Sequence, residues 1–227
     1  MTSARDQEFL VLIPALDAES TLPELLPLVI KVVGQEHVVV IDDGSTDRTS
    51  DVAAACGVRV LRHTANRGKG RALVTGLQFA CSDGYGFAVT MDADGQHLPR
   101  EIPQLMRLAR PGRIVVGRRS MKQGEMPIAR RLSNFLTSLL VSILSGVRVR
   151  DSQCGFRVLP VQVAKLGPWS ARSFDWETEV LIVATRQGFR VSQTGVTTVY
   201  GRGSSHIRHL GDTVRFAMLI ARRLLTR

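Results

Sequence analysis

The stretch His37-Val-Val-Val-Ile-Asp-Asp-Gly-Ser-Thr-Asp47 decides how the chain is read. Four β-branched residues in a row make a strand buried on both faces. Asp42 and Asp43 end the run. Gly44-Ser-Thr-Asp47 then turns the chain and offers capping groups for a helix running to Cys56. Apolar strand, sharp turn and helix together form the repeating unit of a parallel sheet.

The same unit recurs outward from this stretch. Upstream, Phe9-Leu-Val-Leu-Ile-Pro14 is a short apolar strand. The spacing predicts a helix over Leu22–Val33 after it, ended by Gly34, with Pro23 suited to the first turn and Pro27 poorly suited to the interior. Downstream come a strand at Val58–Leu61, a glycine-rich loop at Asn66–Gly70 and a helix over Arg71–Cys81. A strand at Gly86–Met91 delivers Asp92. A helix over Pro99–Arg110 and a strand at Ile114–Gly117 follow. The remainder is less regular: a helix over Arg130–Val147, a strand at Phe156–Leu159, a helix over Asp175–Gln187, an extended Phe189–Tyr200 and a basic amphipathic helix from Thr213. The alternation predicts an α/β fold with a mostly parallel central sheet and helices on both faces. In such sheets ligands bind at the carboxyl ends of the strands. Asp42-Asp43, Asp92-Ala-Asp94 and Arg118-Arg119 all fall there.

Charge divides the chain. Residues 1–100 carry 9 Lys/Arg and 13 Asp/Glu, whereas residues 101–227 carry 21 and 7, a net of +14. The basic half is suited to an anionic partner. Nucleic acid is the poorer fit: aromatic residues are only 5% of the chain, no nucleic-acid-binding motif is present and the first half is acidic. The scattered Cys56, Cys81 and Cys154 show no metal spacing and are expected to be reduced thiols. The polar start and the lack of an 18-residue apolar run predict neither a signal peptide nor a spanning helix.

Asp92 and Asp94 sit one residue apart. On an extended segment alternate side chains share a face, so both carboxylates would meet one ligand, and Gln96 repeats the alternation. Mg²⁺ or Mn²⁺ commonly joins one or two carboxylates to substrate phosphates. Gly68-Lys69-Gly70 offers backbone N–H groups and an ammonium to phosphate, without matching a P-loop or a dinucleotide fingerprint.

Five blocks in order carry more weight than any one motif: VLIPALDAE (11–19), VVVIDDGSTDRT (38–49), NRGKGRAL (66–73), MDADGQHLP (91–99) and VVGRR (115–119). With them the chain resembles the inverting family-2 glycosyltransferases of the GT-A fold. RRLSNFL (130–136), DSQCGFRVL (151–159) and FDWETEVL (174–181) resemble most the dolichyl- or polyprenyl-phosphate mannose and glucose synthases. The resemblance implies a GT-A domain over 1–206, with a nucleotide-sugar half (1–119) and an acceptor half (120–206), then the basic helix 207–227. It implies that Pro14, Ala15, Asp17, Glu19, Asp42, Asp43, Lys69, Asp92 and Ala93 bind the nucleotide sugar, and that Asp92, Asp94 and Gln96 hold Mg²⁺ or Mn²⁺ on its diphosphate. It implies catalytic roles for Asp94, Arg119 and Arg131, and an acceptor site formed by Arg119, Arg130, Arg131, Ser133 and Arg202. The chain departs from the family at Leu16-Asp17, where an aromatic residue and Asn are usual, and near Gly195, where Pro is common.

The expected activity is transfer of mannose or glucose to a polyprenyl phosphate, with the enzyme peripheral on the cytoplasmic membrane face. A same-fold enzyme acting on a hydroxyl is the alternative, with Asp175, Glu177 or Glu179 as base. A sugar nucleotidyltransferase would carry a basic, Gly-rich loop after the first strand, where this chain has PALDAE (14–19).

Overall fold

The structure is a computed structural model that describes residues 8–119, 128–167, 169 and 176–199, with the side chains of 128–133 excepted. One seven-stranded sheet organises it, in the order β3-β2-β1-β4-β6-β5-β7. The strands are β1 (Phe9–Ala15), β2 (Val38–Asp42), β3 (Arg59–Arg62), β4 (Phe87–Thr90), β5 (Arg113–Arg119), β6 (Arg157–Pro160) and β7 (Arg190–Val196). All pairings are parallel except those of β6, which runs against β4 and β5.

Successive residues of β2 and β4 are all buried, as are nearly all of β1. Neighbours on a strand point to opposite faces, so both faces of the sheet centre are covered. The helices are α1 (Leu22–Val33), α2 (Thr49–Ala55), α3 (Lys69–Ser82), α4 (Ile102–Met106), α5 (Ile128–Ser145) and α6 (Trp176–Arg186). α1 buries Leu22, Leu25, Leu26 and Val29 on one stripe, and exposed Pro27 interrupts only its solvent side. α3 packs on β1 and β2 so closely that a Cβ on Gly76 would lie 2.9 Å from the Ile41 side chain.

Three local expectations differ from the structure. α3 begins at Lys69, two residues early, because Gly68 takes φ 94° and the Asp43 carboxylate binds the Arg67 and Gly68 N–H groups. The helix expected over Pro99–Arg110 is a 3₁₀ turn (Pro99–Glu101) followed by the five-residue α4. The segment after β4 is a turn at Ala93–Asp94, not an extended run. There the Asp94 Oδ1 accepts the Gln96 N–H at 3.0 Å, which bends the chain as an Asx turn. The basic helix expected from Thr213 lies outside the described residues.

The antiparallel β6 has a consequence for the site. The carboxyl ends of β1–β5 and β7 share one edge, and β6 brings its amino end there. Gly155 and Arg157 therefore arrive beside the end of β4.

Candidate active site

The carboxyl edge has two parts. The first joins the β1–α1 and β2–α2 loops. Asp17 N–H donates to Ser45 Oγ (3.0 Å), Ala18 N–H to Thr49 Oγ1 (2.7 Å) and Glu19 N–H to Asp47 Oδ2 (3.1 Å). In return Asp17 Oδ1 accepts the Thr46 N–H (2.9 Å), and Glu19 Oε2 accepts the Arg48 N–H (3.0 Å). Asp47 also accepts the Thr49 N–H (2.9 Å) from one residue before the N-cap of α2; the N-cap itself is Arg48, which makes no side-chain cap bond, so the expected capping by the turn is met only in part.

Asp42 and Asp43 stand behind these loops. Asp42 has no exposed surface, accepts from the Ser45 N–H (2.8 Å) and Ser50 Oγ, and lies 3.4 Å from the Arg62 Nε as an ion pair. Burial alone would raise its pKa; the hydrogen bonds from Ser45 and Ser50 and the Arg62 charge outweigh it and hold the carboxyl below its usual range. Asp43 Oδ1 lies 2.6 Å from His63 Nδ1, and the His63 Nε2 lies 3.0 Å from Thr75 Oγ1. Both acids therefore hold the frame of the pocket through donors of the chain itself. A cleft of about 360 Å³ opens in front of them, lined by Gly44, Ser45, Arg62, His63 and Thr64. Ser45 was read from the sequence only as part of the turn and its capping groups, and His63 was not picked out; a histidine just beyond a strand end was the available signal.

The second part is built of full charges. Lys69 Nζ lies 2.7 Å from Asp92 Oδ1 and 2.6 Å from Glu177 Oε1. Burial opposes the ammonium, but the two carboxylates outweigh it and raise its pKa. Burial likewise opposes Asp92 ionisation, and Lys69 overcomes it, so Asp92 stays a carboxylate well below its usual pKa. Asp94 goes the other way: burial and the Asp92 charge together raise its pKa. A Cβ on Gly155 would sit 2.7 Å from Asp92 Oδ2, so a larger residue there would push that carboxylate aside. The Thr90 Oγ1 donates to the Gly155 carbonyl at 2.6 Å and fixes the approach.

Arg119 at the end of β5 forms a two-pronged bond to Asp151, Nε–Oδ2 and Nη2–Oδ1 both 2.8 Å. Asp151 is fully buried; burial would raise its pKa, and the Arg119 hydrogen bonds and charge outweigh it. Fully buried Arg157 donates to the carbonyls of Cys154, Glu177 and Ser152, tying β6 to the first turn of α6. Asp151 and Arg157 were missed as organisers, although a charged residue in the apolar run Phe156–Leu159 marks a buried one. His97 is buried against Phe156 with ring centroids 5.1 Å apart, and burial pushes its pKa down to about 4, so it is neutral at pH 7.

Of the three acids suggested as a base, Glu177 is ion-paired with Lys69, Glu179 has no exposed surface and Asp175 lies outside the described residues. Arg130, Arg131 and Ser133 lie on the first turns of α5, with their side chains outside the description; Arg202 lies outside it altogether. Pro14 and Ala15 end β1 beneath the first loop. Among the described residues no three His, Cys, Asp or Glu side chains form a metal site. Asp92, Asp94 and Gln96 are hard oxygen donors, two of them mutually repelling carboxylates. That set fits Mg²⁺ or Mn²⁺ when substrate phosphates complete the shell.

The sheet order and the acidic carboxyl edge agree with the GT-A fold that the resemblance implies. Residues 10–165 match the family model described as Glycosyl transferase family 2, and the chain belongs to that family. It is 28% identical over 201 residues to the undecaprenyl-phosphate mannosyltransferase of Micrococcus luteus, across 84% of this chain and 83% of that one. It is 29% identical over 189 residues to the UDP-N-acetylglucosamine–dolichyl-phosphate N-acetylglucosaminyltransferase of Methanococcus voltae, across 73% and 75% of the two chains. Its fold matches glucosyl-3-phosphoglycerate synthase from Mycobacterium tuberculosis, solved with Mn²⁺, UDP and glucosyl-3-phosphoglycerate, at a TM-score of 0.75 and 22% identity, covering 98% of this chain and 81% of that one.

Proposed function

We propose that the enzyme moves mannose or glucose from a nucleotide sugar to a polyprenyl or dolichyl phosphate at the cytoplasmic membrane face. One observation carries this reading: the described carboxylates of α6 are not placed to act as a base. Glu177 is committed to Lys69, and Glu179 is fully buried. A hydroxyl acceptor needs a base, whereas a phosphate acceptor is already ionised. The two lipid-phosphate transferases named above support the same choice.

On the donor side, the cleft beside Ser45 and His63 takes the nucleoside, and Lys69 lies towards the diphosphate. Asp92, Asp94 and Gln96 would hold Mg²⁺ or Mn²⁺, which when bound neutralises the diphosphate leaving group as a Lewis acid. On the acceptor side, Arg119, Arg130, Arg131, Ser133 and Arg202 orient the phosphate for attack from the opposite face of the anomeric carbon. α5 exposes Phe135, Leu136, Leu139 and Ile143, an apolar stripe following two arginines. Such a helix suits the membrane interface, and no described helix is long and apolar enough to cross a membrane.

The test is a panel of radiolabelled GDP- and UDP-sugars with polyprenyl phosphate in vesicles and Mn²⁺ or Mg²⁺. The expected product is acid-labile and organic-soluble. Label entering glycan or protein hydroxyls, with none in lipid phosphate, overturns the acceptor assignment.

A further inference from the structure

Glu177 has no role as a base in this site, yet it is buried where a carboxylate is costly. Only 2% of its side chain is exposed, and Oε2 has no hydrogen-bond partner among the described residues. Its compensation is Lys69 Nζ, 2.6 Å from Oε1. The Glu177 main chain is fixed too, because its carbonyl accepts from buried Arg157. Asp92, the other partner of Lys69, is in a different position. Its side chain is 25% exposed, in coil beyond β4 and next to Asp94.

We infer that Glu177 is a positioning residue that anchors Lys69 at the donor diphosphate while Asp92 exchanges partners. The inference rests on the donor reading above. A buried carboxylate left without its cation is strongly disfavoured, so Lys69 stays with Glu177. Asp92 would be free to leave Lys69 where Mg²⁺ or Mn²⁺ supplied positive charge in place of the ammonium. Lys69 then remains at the same place, its charge turned to phosphate oxygens. The anchor crosses the domain: α3 of the nucleotide half carries Lys69, and α6 of the acceptor half carries Glu177.

Two measurements on the full chain test this. The first labels Lys69 with an amine-acylating reagent without nucleotide, read by peptide mass spectrometry. Glu177→Gln raises Lys69 labelling about fivefold or more, whereas Asp92→Asn raises it less than twofold. The second is calorimetric binding of UDP and GDP with Mn²⁺. Glu177→Gln weakens the nucleotide that binds the wild type about tenfold, and in a Lys69→Met background the same change has less than a twofold effect. A merely structural Glu177 would weaken binding equally in both backgrounds. Unchanged labelling in Glu177→Gln, or a several-fold rise in Asp92→Asn, overturns the anchor. So does full nucleotide affinity in Glu177→Gln. If the wild type binds neither nucleotide, the donor reading fails, and the labelling pattern separately decides whether Glu177 holds Lys69. The Asp92→Asn arm decides it even where Glu177→Gln does not fold.

Discussion

The two ends of the carboxyl edge hold their acids in opposite ways. Under β1, β2 and β3, acids meet mainly neutral donors: Asp17 takes the Thr46 N–H, Asp43 the Arg67 and Gly68 N–H groups, Asp42 the Ser45 N–H. Beside β4, β5 and β6, acids meet cations: Asp92 and Glu177 share Lys69, and Asp151 grips Arg119. Hydrogen bonds to backbone fix a shape at modest energy each. Ion pairs fix charge, and can trade partners when a charged ligand arrives. In the function proposed here, the first end would be a mould for the nucleoside and the second a socket of charges for the phosphates.

The contrast breaks most visibly at Asp151. Replacing it by Ala removes the buried carboxylate that grips the largely buried Arg119 guanidinium, a loss of about 3–5 kcal/mol in unfolding free energy. Urea unfolding at pH 7 measures it; a loss under about 1 kcal/mol would move Asp151 into the neutral class. The pH dependence has a definite sign. The folded pKa of Asp151 lies below its unfolded value, so its stabilisation is complete above roughly pH 4 and disappears as pH falls through the folded pKa. Asp151→Asn should flatten that acid limb.

Asp94→Asn is next in size. Transfer should fall about 10²–10³-fold, the usual loss for one electrostatic group in a reacting site. Stability should hold or rise. Burial and Asp92 raise the folded pKa of Asp94, so at pH 7 its charge opposes folding. Thermal unfolding and initial rates on one preparation separate the two effects. Full transfer in this variant would remove Asp94 from the metal-binding set.

The mould was more legible in the sequence than the socket. Strands such as Val38–Ile41 announce themselves, because burial on both faces writes an unbroken apolar run. The turn was legible as well, since Asp47 sits two residues before the Thr49 N–H it accepts and such bonds are local. The socket depends on contacts far apart in sequence. Nothing near Lys69 points to Glu177, 108 positions later, and nothing near Arg119 points to Asp151. The extended reading of Asp92–Gln96 failed because a local Asx turn overrode the strand period. The antiparallel β6 was also hidden: direction is not written in a four-residue apolar strand.

Gly155→Ala probes the socket sterically. Its new Cβ would fall 2.7 Å from Asp92 Oδ2, and a side-chain carboxylate gives way more easily than backbone. Asp92 should shift, with transfer reduced about tenfold and stability changed by about 1 kcal/mol or less. Initial rates and urea midpoints check both; equal losses in each would mean that β6 itself had moved.

The smallest effect should come from Asp17→Asn, and it sharpens the comparison most. Asp17 is the one non-glycine among the described residues with positive φ, 49°. Asn tolerates that conformation as well as Asp does. Its amide oxygen can accept the Thr46 N–H in place of Oδ1, so shape survives the loss of charge. Unfolding free energy should change by only about 0.5 kcal/mol or less, whereas Asp17→Ala should cost about 1 kcal/mol or more by losing the acceptor that joins the two loops and straining the backbone at positive φ. The same Asp-to-Asn exchange is thus nearly silent for stability in the mould and ruinous for transfer in the socket. A cost for Asp17→Asn as large as that for Asp17→Ala would show that charge, not acceptor geometry, holds the nucleoside end.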